Sequence, residues 1–170
     1  HYIIGDKNRS IVVEYTENGM EIFKNDVDIL TNQPGYAWHQ ENLRNYMNLE
    51  PKKPHEVKWG KAKMVPFGSG SMMRGLPGDY YSPSRFVRVA YLNTHYPVQA
   101  DEASNVSRLF HTLTGVAMID GAAAMADGQF EKTIYTGGYS TATQTYYYST
   151  YEDPAIKSVA LKDYDLDSTE

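Results

Sequence analysis

Asn32 is the side chain best placed for polar chemistry, because the chain continues from it as Gln33-Pro34-Gly35-Tyr36. Proline fixes φ, glycine permits angles that other residues avoid, and a residue before proline is pushed toward extended geometry. A strand carrying Val27, Ile29 and Leu30 is therefore expected to end at Asn32. A sharp turn comes next, and a helix leaves it at Tyr36. A carboxamide held on such backbone is a fixed hydrogen-bond donor. Asparagine is also enriched in turns for local reasons, and on this stretch alone an ordinary turn residue is the commoner outcome.

Other side chains narrow the chemistry by exclusion. The histidines, His1, His39, His55, His95 and His111, form no HExxH or other metal-ligand spacing, so capping or solvated roles are expected and no metal or other cofactor is implied. Gly68-Ser69-Gly70 and Gly75-Leu76-Pro77-Gly78 resemble a phosphate loop only superficially, since no Lys-Ser/Thr pair opens a helix after them. There is no Gly-x-Ser-x-Gly elbow. The sequence has no cysteine, which excludes disulfides, thiolate metal sites and a cysteine nucleophile among these 170 residues.

The elements that must position Asn32 read as strands, then helices, then strands. Tyr2 to Asp6 and Ser10 to Tyr15 are strands around a polar turn at Lys7-Asn8-Arg9. Asn18-Gly19 signals a hairpin into Met20 to Lys24. The pattern predicts a helix from about Tyr36 to Met47, packing through Tyr36, Leu43, Tyr46 and Met47. Residues 48 to 80 lack periodicity and are rich in proline and glycine, a length of loop that usually has a task, such as lining a site or wrapping a neighbouring subunit. Ser82-Pro83 predicts a helix start with Ser at N-cap and Pro at N1. That helix runs to about Asn93, with Phe86, Val89 and Ala90 on one face and Arg85 in its first turn. A second helix is expected from about Asp101, packing through Val106, Leu109, Phe110, Leu113 and Val116. Thr133 to Thr136, Thr145 to Thr150 and Lys157 to Leu161 read as strands, and Asp163 to Glu170 as a solvated acidic tail. This order predicts a single α+β domain over residues 1–170, an antiparallel sheet with a helix layer.

With 170 residues, 41% hydrophobic and 22% charged, the chain is long and apolar enough to bury a core. A net charge of −5 without a basic stripe argues against nucleic acid as a partner. No apolar run approaches the roughly 18 residues of a membrane span, and no signal-peptide pattern is visible. A cytoplasmic protein without membrane contact is the expectation. Tyrosine, at 15 of 170, suits half-exposed sheets and interfaces.

Several stretches taken in order carry a resemblance. They are Leu30-Thr31-Asn32-Gln33-Pro34-Gly35-Tyr36, Gly75-Leu76-Pro77-Gly78-Asp79, Ser82-Pro83-Ser84-Arg85-Phe86-Val87-Arg88-Val89-Ala90, Leu109-Phe110-His111, Thr133-Ile134-Tyr135-Thr136 and Tyr146-Tyr147-Tyr148. As a set they resemble the choloylglycine hydrolase family of linear-amide hydrolases, which includes bile salt hydrolases and penicillin V acylases. Gly35 to Gln40 looks more like the penicillin V acylase branch. The resemblance implies the C-terminal half of an αββα N-terminal-nucleophile hydrolase sandwich. The family's nucleophile, an N-terminal cysteine, then lies outside this chain. An inactive remnant keeping only an assembly role is the alternative. The resemblance implies that Asn32 helps form the oxyanion hole and that Arg85 lies beside the nucleophile, while Arg88 is left as solvated. Met72 and Met73 depart from the family's glycine-rich loop and fit either an apolar acyl-binding pocket or a subunit contact. The implied partners are a small amide substrate, the enzyme's other half and further copies in a homotetramer.

Overall fold

The computed structural model describes residues 1–165 and 167, and the chain divides into two compact units, 1–96 and 97–170. The first unit opens with an antiparallel meander of β1 (Tyr2–Gly5), β2 (Ser10–Thr16) and β3 (Gly19–Lys24), in the order β1-β2-β3. The Asp6 carboxylate accepts from the N–H groups of Asn8 and Arg9 and so turns β1 into β2. Gly19, with φ of 107°, closes the tight turn into β3. Strand side chains alternate between faces. On β2 the inward set is Ser10, Val12 and Glu14, all buried.

Two helices cover that inward face. They are α1 (Tyr36–Asn42), continued by a 3-10 turn Leu43–Tyr46, and α2 (Ser82–Thr94). Val12, Ile29, Tyr36, Phe86 and Ala90 form the core, with Phe23, Leu30 and Leu43 packed against it. The opposite face of the meander is set by the register. Tyr2 pairs with Val13, Val13 with Ile22, and Tyr15 with Met20, so these residues share one side. Tyr2, Tyr15, Met20 and Ile22 are exposed there.

Several expectations change. The segment carrying Val27, Ile29 and Leu30 is not a strand. The Asn25 side chain donates to the carbonyl of Ile29 and accepts from its N–H, taking both groups a ladder would need. Asp28 also adopts a left-handed φ of 54°. Met47 is 81% exposed rather than packed, because the helix has ended before it. The 48 to 80 stretch holds an exposed hairpin, β4 (Val57–Trp59) with β5 (Ala62–Met64), and a 3-10 turn at Ser71–Met73. Ser82 is the first helical residue of α2 and not its cap. Tyr81 is the N-cap, without a side-chain bond, and Asp79 accepts from Tyr81 N–H and Ser84 Oγ instead.

The second unit begins with α3 (Glu102–Thr114), which starts where expected and is capped by Asp101, whose carboxylate accepts from Ser104 N–H. Phe110 is its buried residue, while Val106, Leu109, Leu113 and Val116 are half-buried. A second meander comes after it: β6 (Tyr135–Ser140), β7 (Thr145–Thr150) and β8 (Lys157–Ala160). β6 begins later and runs further than Thr133 to Thr136, through Gly137-Gly138. A Cβ at Gly137 would strike the Tyr146 ring, and one at Gly138 would sit 2.6 Å from Leu109 Cδ2 of α3. Here glycine serves close packing inside a strand rather than a turn. The Glu102 carboxylate accepts from Tyr147, Ser140 and Thr143, tying α3 to β7, to the end of β6 and to the β6–β7 connection. The acidic tail is described only through Asp165 and at Asp167, and the rest of that expectation lies outside the described residues.

Candidate functional site

Asn32 lies in irregular chain between β3 and α1, with its side chain exposed. Arg85 sits on the first turn of α2, and its Nη2 donates to Asn32 Oδ1 at 2.7 Å. Its Nε donates to the Tyr80 carbonyl at 3.0 Å, which fixes the guanidinium against the start of its own helix. Guanidinium groups only donate, so the partner atom of Asn32 must be its oxygen. The carboxamide nitrogen therefore faces away from Arg85 with its N–H groups available. Sequence reading named both residues, and the structure brings them together.

Buried side chains hold the turn between Asn32 and α1. Glu14, 6% exposed, accepts from the Tyr36 N–H with both oxygens, at 3.0 and 3.1 Å. Gly35 makes room for this carboxylate: a Cβ there would lie 3.1 Å from Glu14 Oε2. Tyr36 Oη donates to Asn25 Oδ1 at 2.8 Å, and burial pushes the Tyr36 hydroxyl above its ordinary pKa. His39 is 1% exposed, and its Nε2 lies 3.0 Å from the Asn32 carbonyl and 3.3 Å from Thr31 Oγ1. Ser82 Oγ donates to Thr31 Oγ1 at 3.2 Å. A cavity of about 300 Å³ beside the turn is lined by His1, Glu14, Tyr15, Thr16, Gln33 and Gly35.

The loop before α2 is held by Arg88, which is not merely solvated. Its Nη1 donates to the carbonyls of Pro77 at 2.7 Å and Asp79 at 3.1 Å, and burial lowers its pKa from the usual guanidinium value. The Asp79 carboxyl is held below the ordinary carboxylate range, first by the Ser84 hydroxyl and then by the Tyr81 N–H. Met72 and Met73 are half-buried in their 3-10 turn. Their backbone hydrogen bonds run to Glu50, Gly70 and Leu76, not to Asn32 or Arg85. Among the described residues no group of His, Asp or Glu could hold a metal ion, and no helix is long and apolar enough to cross a membrane.

Sequence reading missed Glu14 and His39. Glu14 is legible in retrospect as the charged member of the Ser10, Val12, Glu14 alternation. His39 stands three residues after Tyr36, on the helix face that Tyr36 and Leu43 bury.

Comparison with known proteins adds the lineage. Over 170 residues the chain is 59% identical to the bile salt hydrolase/transferase of Bifidobacterium longum, covering all of this chain and 54% of that protein. It is 40% identical to the conjugated bile acid hydrolase of Lactobacillus acidophilus, again covering 54% of it. The chain thus spans about half the length of the curated relatives it matches. The crystal structure of a variant of conjugated bile acid hydrolase from Clostridium perfringens superposes with a TM-score of 0.89 at 34% identity, covering 99% of this chain and 52% of that one. Penicillin V acylase from Agrobacterium tumefaciens shares the fold, with a TM-score of 0.71 at 16% identity over 94% of this chain and 44% of that one. The lean toward the penicillin V acylase branch read from Gly35 to Gln40 is therefore not supported: bile salt hydrolases are far more similar. The model of the linear amide C–N hydrolases, choloylglycine hydrolase family, matches residues 1–170, and the chain belongs to that family.

Proposed function

We propose that this chain supplies the oxyanion-binding side of a hydrolase that cleaves the amide bond of glycine- or taurine-conjugated bile salts. The observation that carries this reading is the bond from Arg85 Nη2 to Asn32 Oδ1, which turns the Asn32 N–H groups outward. A thiolate on a cysteine outside these 170 residues attacks the amide carbonyl carbon. Negative charge then gathers on the carbonyl oxygen, and Asn32 Nδ2–H donates to it. A donor aimed beforehand at developing charge needs no reorganisation when the charge forms. The proton given up by the thiol passes to the amide nitrogen, and collapse of the tetrahedral intermediate breaks the C–N bond, releasing the amine of glycine or taurine and leaving an acyl-thioester. Water then attacks that ester through a second oxyanion at the same donor, releasing the free bile acid and the thiol. The Arg85 guanidinium beside this site also favours thiolate over thiol.

The substrate class is supported by identities of 59% and 40% to proteins named for bile salts, against 16% to the penicillin V acylase. The test is kcat/KM for a taurine-conjugated bile salt and for penicillin V, measured on the whole protein containing this chain. A larger value for penicillin V overturns the substrate assignment. The 170 residues alone carry no thiol and are expected to release no amine above a buffer blank. The exposed β4–β5 hairpin, with Trp59 bare and Val65 and Phe67 just beyond it, is proposed as a contact between copies of the whole protein. Light scattering that returns a monomer overturns that assignment.

A further inference from the structure

We infer that His39 is a positioning residue, which fixes the backbone that carries the Asn32 donor. The inference rests on the role proposed for Asn32. A donor can only be aimed if its backbone is held, and Asn32 belongs to no helix or strand, so no ladder holds it. Its carbonyl oxygen is an acceptor only. The 3.0 Å contact with His39 Nε2 therefore makes Nε2 the protonated nitrogen, donating to that oxygen. The same N–H reaches Thr31 Oγ1 at 3.3 Å, and Thr31 Oγ1 accepts from Ser82 Oγ on the helix that presents Arg85. One network thus links the Asn32 backbone to the helix that orients the Asn32 side chain.

The imidazole itself has little room to move. Its ring stacks on Phe86 with centroids 4.4 Å apart and planes 7° apart, and Trp38 meets it edge-on at 5.6 Å. The His39 backbone N–H is bonded to the Gly35 carbonyl at 3.2 Å, so this residue ties the start of the turn to the helix at its end. Nδ1 is buried and has no hydrogen-bond partner among the described residues. A ring kept only for packing does not need a nitrogen in that place, since a phenyl would satisfy Phe86 without leaving a buried polar atom unpaired. Among the described residues, the side-chain polar contacts that justify a histidine here are the two from Nε2, to Asn32 and to Thr31.

The experiment separates the donor from the ring in the whole active protein. His39→Phe keeps the stack and removes the donor. His39→Gln loses the ring and keeps an N–H at a similar reach. His39→Met, which fills irregular space without a donor, stands in if the Phe variant does not fold. Kinetics are expressed per folded enzyme, and Asn32→Leu is assayed alongside. The donor-less variant should lose about tenfold or more in kcat, with KM within about twofold, because a small misplacement of a catalytic group costs rate rather than affinity. His39→Gln should stay within about threefold of wild type, a difference too small for a lost catalytic group. A donor-less variant with wild-type kcat, or a Gln variant as slow as Phe, overturns the inference. If Asn32→Leu retains its rate, the functional reading of Asn32 fails and this inference with it. If Asn32→Leu is slow while His39→Phe is not, only the role of His39 is overturned.

Discussion

Replacing Asn32 by leucine tests the proposed chemistry most directly. The side chain is exposed, so its exchange opens no cavity. The bond between the Asn32 carbonyl and His39 belongs to the backbone and survives, as does the bond from Tyr36 N–H to Glu14. The resting protein loses the 2.7 Å bond from Arg85, whose Nη2 water then serves. One such bond contributes roughly 1 kcal/mol, so the folded state should lose no more than that. The transition state loses a donor to the oxyanion, typically about 10²–10³ in rate, or roughly 3–4 kcal/mol. The expected result is a nearly unchanged melting temperature with kcat down at least about a hundredfold and KM little altered. Asn32→Asp sharpens the test. A carboxylate pairs with Arg85 as well or better, yet it offers no N–H and sets negative charge where the oxyanion must form. It should therefore fold as stably as wild type and turn over more slowly than Asn32→Leu. Release of glycine or taurine, monitored alongside thermal unfolding of the same samples, reads both quantities. If kcat per folded enzyme of the leucine variant stays within about threefold, about 0.65 kcal/mol, Asn32 is only a turn residue.

The packing sets three further outcomes. Gly35→Ala presses a Cβ to 3.1 Å from Glu14 Oε2, so the carboxylate must shift while it holds the Tyr36 N–H, and a loss of about 1 kcal/mol in denaturant unfolding is expected. An unchanged midpoint would show that the carboxylate moves freely. Gly138→Val drives side-chain atoms into Leu109 and should destabilise by about 1–3 kcal/mol, read as a lower midpoint for the transition that reports α3. A midpoint equal to wild type would refute the close packing of α3 on β6. Asp79→Ala should lower the melting temperature at pH 7. The folded carboxyl titrates below its ordinary value, so its contribution is full above about pH 4 and is lost as pH falls through the folded value. The gap between wild type and variant should thus narrow in acid, and a gap that does not change as pH falls contradicts the role of the ionised carboxylate.

The meanders and the three helices were legible because their signals are local, and Asn32 and Arg85 were singled out through the resemblance, although their direct bond was not foreseen. Alternating apolar residues gave β2 and β3, Asn18-Gly19 gave their turn, and Asp101 gave the start of α3. The failures are also physical. Val27, Ile29 and Leu30 carry strand propensity, but the Asn25 side chain claims the Ile29 backbone, and nothing in the local pattern announces that bond. Ser82 looks like a cap because Ser-Pro commonly is one, yet its hydroxyl turns to Thr31, 51 residues earlier in the chain. His39 and Glu14 have polar side chains that a hydropathy pattern assigns to solvent, and their burial depends on partners brought in by tertiary structure. Arg88 is read as exposed for the same reason. The strand was read only to Thr136, because the close approach of Tyr146 and Leu109 that needs Gly137 and Gly138 comes from tertiary packing.

The orienting parts of the site and its reactive edge have opposite burial. Glu14, Tyr36, His39 and Phe86 are buried within the first unit and are bonded or stacked among themselves and to the turn. Asn32, which they hold, is exposed and aims its N–H groups away from Arg85. The face of β1–β3 turned away from these helices is lined by exposed Tyr2, Tyr15, Met20 and Ile22. A sheet with one face under helices and an apolar face bare is half of a layered architecture, because apolar strand faces need a second layer. The chain spans 54% of the length of its Bifidobacterium longum relative, which fits the proposal that a second layer and the nucleophile lie outside these 170 residues. Rigidity is built where the Asn32 backbone is anchored, while its side chain stays open. The oxyanion role proposed for Asn32 requires this anchorage, because a donor must be held within about half an ångström of its productive place.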